Sequence, residues 1–403
     1  MKINILLFSA RSLTVEIRRR LAAAMIAFAS VLAISTARFE RDPQSCGMIT
    51  VLLKKKKRSS ISPRHFLRKL TFIFAVLQLI LLSSAAAKPI PLAQNSALTQ
   101  LEDPFNHIKQ IKAGVLNIGY VEAGPANGEP VLLLHGWPYD IYSYKEVSEL
   151  LTAKGYRVLI PYLRGYGSTH FLSAATPRNG QQSALAVDMI AFMDALKIKK
   201  AIVGGFDWGA RTADIMAALW PERVKGLVSV SGYLIGSQAG NKAPLKPQAE
   251  LSWWYQYYFA TDRGQAGYQG HTAEFNKLIW QTASPTWKFS EETYNRSAAS
   301  FKNPDHVQIV IDNYRWRLGI TKGEAKYDAL EAKLATAPDI MVPTVTLEGD
   351  ANGAPHPDPS AYAIRFKGKY AHHNIHGGVG HNLPQEAPQA FANAILEGAA
   401  WTQ

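Results

Sequence analysis

Residues 205–210 read Gly205-Phe206-Asp207-Trp208-Gly209-Ala210. They stand between a short apolar run at 200–203 and a segment at 211–219 whose apolar residues recur at helical spacing. Small residues two before and two after the central position let a chain turn sharply from strand into helix, pushing the central side chain out at the top of a sheet. Here that side chain is Asp207, a carboxylate and not a hydroxyl. An aspartate at a helix start is also what a plain N-terminal cap looks like, and its charge suits the positive end of the helix dipole in either role. The segments around it separate the two readings.

Moving outward, alternating or fully apolar runs at 115–121, 130–134, 157–161, 224–230, 342–347 and 372–375 predict strands. Helical spacing at 184–196 (Ala186, Met189, Ile190, Met193, Leu196) and at 387–396 predicts helices between and after them. Strands alternating with helices predict an α/β protein with a mostly parallel, doubly wound sheet. Residues 231–322 break the alternation, are dense in Trp and Tyr, and carry mostly helical periodicity. They predict an inserted helical cap, which divides the core into 88–230 and 323–403.

Three further segments fall at strand ends. His135-Gly136-Trp137-Pro138 follows the run at 130–134, Glu348-Gly349-Asp350 closes the run at 342–347, and Gly380-His381 lies between the last strand and the last helix. With these motifs the chain from about residue 108 onward resembles the α/β-hydrolase superfamily. The branch it resembles is that of the epoxide hydrolases and haloalkane dehalogenases, whose nucleophile is an aspartate. His-Gly-Trp-Pro and Asp-Trp-Gly together carry that resemblance.

The resemblance implies Asp207 as nucleophile, His381 as the base that activates water, and Asp350 as the acid that orients the histidine. It implies the backbone N–H groups of Trp137 and Trp208 as an oxyanion hole. Glu348 is a second candidate acid, but it lies inside the strand end. The chemistry fits the residue types: a carboxylate attacks a strained or activated carbon, becomes an ester, and is freed by water. A carboxylate at this turn does not form the acyl-enzymes of serine esterases.

What the cap supplies decides between substrates. A protonated phenol can donate to the oxygen of an opening epoxide. The cap segments Trp254-Tyr255-Gln256-Tyr257-Tyr258-Phe259 and Asn313-Tyr314-Arg315 resemble the places where epoxide hydrolases carry paired tyrosines. The pair expected is Tyr255 and Tyr314, with Tyr258 as the substitute for the first. A dehalogenase would instead use N–H donors for halide, from Trp208 and a cap Trp such as Trp253, Trp254 or Trp280. Many haloalkane dehalogenases carry Asn where this chain has Trp137, and fluoroacetate-type enzymes carry Arg where it has Trp208. A third reading is a catalytically silent hydrolase fold used for binding, although all three triad candidates are present.

Other features weigh less. Arg164-Gly165-Tyr166-Gly167-Ser168 resembles a loop common in the superfamily, with Tyr162 where Asp is frequent. His372, His373 and His376 look like a metal cluster, but neighbouring strand residues point to opposite faces, so no metal is expected. Asp305 and His306 read as surface or capping residues. No Gly-rich phosphate loop follows an early strand, so no cofactor is expected.

Composition sets the outer bounds. The 403 residues are 47% hydrophobic and 19% charged, which excludes a disordered chain. The net charge of +13 suggests nucleic acid, yet residues 1–87 hold 15 Lys and Arg against three acids, leaving 29 basic and 28 acidic residues for the rest. The body is nearly neutral, so the basic excess reads as targeting chemistry and nucleic-acid binding is not expected.

Two basic-then-apolar stretches, 18–34 and 54–87, have signal-peptide character, the second ending in Ser83-Ser84-Ala85-Ala86-Ala87. They predict export to a secreted or periplasmic location, with a retained N-terminal membrane anchor as the alternative. Met48 makes residues 1–47 readable as an over-extended start. The single Cys46 falls in that part, so no intrachain disulfide framework exists. The expected partner is a small-molecule epoxide or halide, and a homo-oligomer is left open.

Overall fold

A computed structural model of the chain describes residues 103–402. The N-terminal targeting region, both signal-like stretches and Cys46 lie outside the described residues.

Strand β1 (Lys109–Ala113) turns back at Gly114 into β2 (Leu116–Ala123). Then come β3 (Pro130–Leu134), α1 (Lys145–Thr152), β4 (Arg157–Pro161), β5 (His170–Phe171), α2 (Gln182–Ala195), β6 (Ala201–Gly205), α3 (Trp208–Leu219) and β7 (Val224–Val230). Seven helices follow: α4 (Pro247–Ser252), α5 (Trp254–Ala260), α6 (Asp262–Gly270), α7 (Thr272–Ala283), α8 (Glu291–Ala298), α9 (His306–Arg317) and α10 (Asp328–Leu334). The chain returns to the sheet with β8 (Thr344–Gly349), passes α11 (Pro359–Tyr362) and β9 (Tyr370–Ile375), and closes with α12 (Leu383–Glu386) and α13 (Pro388–Ala400).

Among the described residues these strands make one nine-stranded sheet in the order β1-β2-β4-β3-β6-β7-β8-β9, with β5 beside β2. Pairing is antiparallel from β1 to β4 and parallel from there to β9. The central strands are buried along almost their whole length, as apolar runs covered on both faces must be. Two consecutive glycines show the covering layers. A Cβ on Gly204 would meet Ile395 and Phe391 of α13, whereas one on Gly205 would meet Gly209 and Ala210 of α3. Neighbouring strand residues face opposite ways, so α13 and α3 cover opposite sides.

The hairpin strand β1, the short β5 and the eight-residue α1 were not expected from the sequence. Each is short, and β1 reads Lys-Gln-Ile-Lys-Ala, mostly exposed at an edge. Helix α3 starts at Trp208, three residues before its periodic segment, because the turn itself supplies the first helical residues. Among the described residues no helix is long and apolar enough to cross a membrane.

The helical segment between β7 and β8 sits on the loops at the strand ends. Trp280 Nε1 donates to the Pro138 carbonyl (2.7 Å) and Ser297 Oγ to Asp140 (2.8 Å). Its aromatic side chains form a continuous layer, with Phe259, Tyr268 and Phe275 in mutual ring contact and Tyr314 against Phe259.

Candidate active site

The turn after β6 is as sharp as its glycines allow. A Cβ on Gly205 would lie 2.4 Å from the Gly209 backbone, and one on Gly209 would lie 1.9 Å from the Leu134 carbonyl oxygen. Alanine at either position would push the helix off the sheet. Between them Asp207 adopts φ 53° and ψ −122°, a conformation that costs a non-glycine residue roughly 1–3 kcal/mol. The Asp207 side chain makes no capping hydrogen bond to α3. Its Oδ1 instead accepts the Trp137 N–H at 2.7 Å, and its Oδ2 lies 3.5 Å from His381 Nε2. The plain-cap reading of this aspartate is therefore set aside. Burial pushes the Asp207 carboxyl up, but the hydrogen bond and charge of His381 and the N–H groups of Trp137 and Trp208 outweigh it, holding the group below the usual carboxylate range.

His381 is fixed at three points. Its backbone N–H donates to Ser284 Oγ (2.9 Å), a residue at the end of cap helix α7. Its ring packs edge-on to Phe206. Its Nδ1 lies 3.2 Å from Asn352 Oδ1. The amide orientation follows from its other bonds: Asn352 Nδ2 donates to Glu348 Oε1 (2.7 Å), and Asn352 Oδ1 accepts the Ala354 N–H (3.0 Å). An oxygen facing Nδ1 requires that nitrogen to carry the proton, so the neutral ring has its lone pair on Nε2 and only the protonated ring donates to Asp207.

This corrects the expected triad. Asp350 does not orient His381. Its carboxylate accepts the N–H groups of Gly377 (3.0 Å), Gly378 (2.9 Å) and Val379 (3.0 Å), with His376 Nδ1 3.6 Å away. These bonds, the Gly377 one foremost, hold it below the usual range. Asp350 thus clamps the loop leading to His381, while the buried Glu348 reaches the histidine through Asn352. A search confined to acids could not find an amide in this role. The only sequence hint is that Asn352 shares the same strand-end turn.

Tyr255 and Tyr314 come together. Their rings meet edge-to-face at 5.4 Å, and each contacts the Trp137 ring, at 5.2 and 5.3 Å. Trp208 adds a ring 6.0 Å from Tyr314. Both tyrosines are buried, and burial, with the Asp207 charge, pushes both hydroxyls up, so both stay protonated. Tyr258 turns aside to stack on Phe275.

One buried network went unread in the sequence. Trp137 Nε1 donates to the Tyr268 hydroxyl (3.1 Å), which also meets Asn276 Oδ1 (3.0 Å) and His306 Nε2 (2.9 Å), while His306 Nδ1 meets the Gly165 carbonyl (3.0 Å). His306 is fully buried and not at the surface; burial lowers it to about 3, so it is neutral. Asp305 pairs with Arg178 at 2.8 Å. His372, His373 and His376 diverge towards Thr346, Glu397 and Asp350. Among the described residues no group of three His, Cys, Asp or Glu side chains could hold a metal ion.

A profile of the alpha/beta hydrolase fold family matches residues 129–309. The crystal structure of a candidate epoxide hydrolase from Klebsiella pneumoniae is 62% identical, with a TM-score of 0.73, covering 74% of this chain and 98% of that one. The chain belongs to the α/β-hydrolase family and is epoxide hydrolase-like. Among curated proteins, Epoxide hydrolase 3 of Siraitia grosvenorii is 37% identical over 130 residues, 32% of this chain. Epoxide hydrolase B of Mycobacterium tuberculosis is 34% identical over 149 residues, 34% of this chain. Those matches span 39% and 41% of the two relatives' own lengths.

Proposed function

We propose that this chain is an epoxide hydrolase that converts an epoxide and water into a vicinal diol. The observation that carries the reading is a carboxylate at the elbow, 3.5 Å from His381 Nε2, with two protonated tyrosines gathered around the same Trp137 ring.

Asp207 Oδ2 attacks an epoxide carbon and the C–O bond breaks, its electron pair going to the ring oxygen. That oxygen receives hydrogen bonds, then a proton, from Tyr255 and Tyr314. The product is a hydroxyalkyl ester of Asp207. His381 Nε2 then takes a proton from water, and the resulting hydroxide adds to Asp207 Cγ. Negative charge develops on Oδ1, already held by the Trp137 N–H, with Trp208 as second donor. Collapse expels the alkoxide, which takes the proton of the added hydroxyl, giving the diol and restoring the carboxylate; the proton on His381 returns through solvent to the tyrosine that was deprotonated.

Asn352 holds His381 in the tautomer this needs, and Glu348 holds Asn352. Asn352→Ala should slow turnover roughly 10- to 100-fold, part of what a general base contributes. The loss should fall on ester hydrolysis and not on ester formation, as single-turnover kinetics would show. Asp350→Asn should cost less, since it loosens a loop without touching the imidazole.

Haloalkane dehalogenation is less well supported. The Trp280 N–H, one of the candidate halide donors, is committed to the Pro138 carbonyl, and Trp254 is 37% exposed. A binding-only role fits poorly with a carboxylate and imidazole held in register. The test is to incubate the purified protein with styrene-type and aliphatic epoxides and with bromoalkanes, assaying diol and halide. Diol without halide is expected; halide release without diol would replace this reading.

A further inference from the structure

The loop that delivers His381 contains Gly377, Gly378 and Gly380, the first two at φ 110° and 82°. Glycines lose more conformational freedom on ordering than other residues, so such a loop keeps one shape only where its backbone is tied down. Asp350 ties its first half, through the N–H groups of Gly377, Gly378 and Val379. The second half, which ends on the imidazole, is tied by a different acid.

That acid is Glu386, the last residue of the short helix α12. Its Oε2 accepts the Gly380 N–H (2.7 Å), and its Oε1 accepts the Asn382 N–H (3.0 Å) and the Ser284 hydroxyl (2.6 Å). Ser284 Oγ in turn accepts the His381 N–H (2.9 Å). The consecutive N–H groups at 380, 381 and 382 thus all lead to one carboxylate, the middle one by way of a serine. Hydrogen bonds to a charged acceptor are the strong ones.

Ser284 is buried and belongs to the cap, at the end of α7. A Cβ on Gly380 would fall 2.5 Å from its Oγ and 2.6 Å from its Cα, so this glycine lets the cap backbone press against the loop. Neighbouring cap residues reach both supports of the imidazole. The Ala283 carbonyl accepts the Gly353 N–H (2.9 Å), beside Asn352, and Thr286 Oγ1 donates to the Gly378 carbonyl.

We propose that Glu386 and Ser284 are positioning residues that act on His381 through its backbone, so that the water-activating base is assembled jointly by core and cap. This rests on the epoxide reading for the step it assigns, ester hydrolysis, though not for the orientation of the imidazole.

The test uses two near-isosteric variants. Ser284→Ala removes the acceptor of the His381 N–H, and Glu386→Gln sets an amide NH₂ against a donor that the carboxylate accepted. Misplacing a catalytic group by about 1 Å costs up to roughly 10²-fold. In single turnovers of styrene oxide, each variant should therefore hydrolyse the Asp207 ester roughly 10- to 100-fold more slowly, with ester formation within about twofold of wild type. Loosened packing alone would slow both steps together. Equal slowing of both steps, or ester hydrolysis at the wild-type rate, would overturn the assignment while leaving epoxide hydrolysis standing. Should one variant not fold, the other carries the same test.

If the wild type forms neither diol nor covalent adduct, the epoxide reading fails and the positioning is read from the imidazole itself. Nitrogen-15 NMR of the His381 ring should show the proton on Nδ1 in the wild type and a mixture of both tautomers in the variants. A tautomer unchanged in both variants would overturn the proposal.

Discussion

His381→Gln should stop turnover and leave the protein carrying one covalent substrate adduct per chain. A general base contributes roughly 10²–10⁴-fold, and in the proposed mechanism it serves only the second half of the reaction. Attack by Asp207 needs an ionised carboxylate, and the N–H groups of Trp137 and Trp208 still favour that form when the imidazole is gone. The glutamine removes the Nε2 lone pair, so the ester forms and is not hydrolysed. Intact-mass spectrometry after incubation with an epoxide at pH 8 should show a gain equal to the epoxide mass, and digestion should place it on the peptide holding Asp207. Asp207→Asn should show no gain. A correctly folded His381→Gln protein that stays unmodified would remove Asp207 as the attacking group.

Tyr255→Phe combined with Tyr314→Phe should lower epoxide opening by on the order of 10³-fold or more, with each single change costing roughly 10- to 100-fold, by comparison with other positioned acids and oxyanion donors. Phenylalanine keeps the ring packing against Trp137 and Phe259, so only the hydroxyl is lost and thermal stability should change little. The defect should be the mirror image of His381→Gln: slow alkylation with no adduct accumulating. Undiminished alkylation in the double variant would take both tyrosines out of the mechanism. These hydroxyls stay protonated because burial and the charge of Asp207 both oppose ionisation. Activity should therefore not fall on their account between pH 6 and 9.

Much of the fold could be read from the chain because its central strands are covered on both faces and so write themselves as plain apolar runs. β3 and β7 begin and end where the sequence places them, at Pro130–Leu134 and Val224–Val230. The elbow was legible for a different reason: the space at Gly205 and Gly209 admits no side chain, and sterics leave a local signature. β1 is mostly exposed at the sheet edge and leaves no such apolar run, and α1 is only eight residues long.

The partner of His381 was misread for a third reason. Glu348, Asp350 and Asn352 share one strand-end turn, and which of them faces the imidazole depends on the path of the loop at 377–380. Asp350 is spent on holding that path, so the nearest exposed acid is the wrong one. Tyr255 and Tyr314 stand 59 positions apart in the sequence, and only the packing of α5 on α9 brings them to one ring.

Ester formation on Asp207 has an isotopic signature. In a single turnover in oxygen-18 water, with protein in excess over epoxide, the oxygen added to the substrate should come from the Asp207 carboxylate, and the label should enter the protein. The diol should be unlabelled at first, with label retained in the peptide that contains Asp207. A diol carrying one oxygen-18 atom from the first turnover, with no label in the protein, would mean that water attacks the epoxide directly and that Asp207 forms no ester.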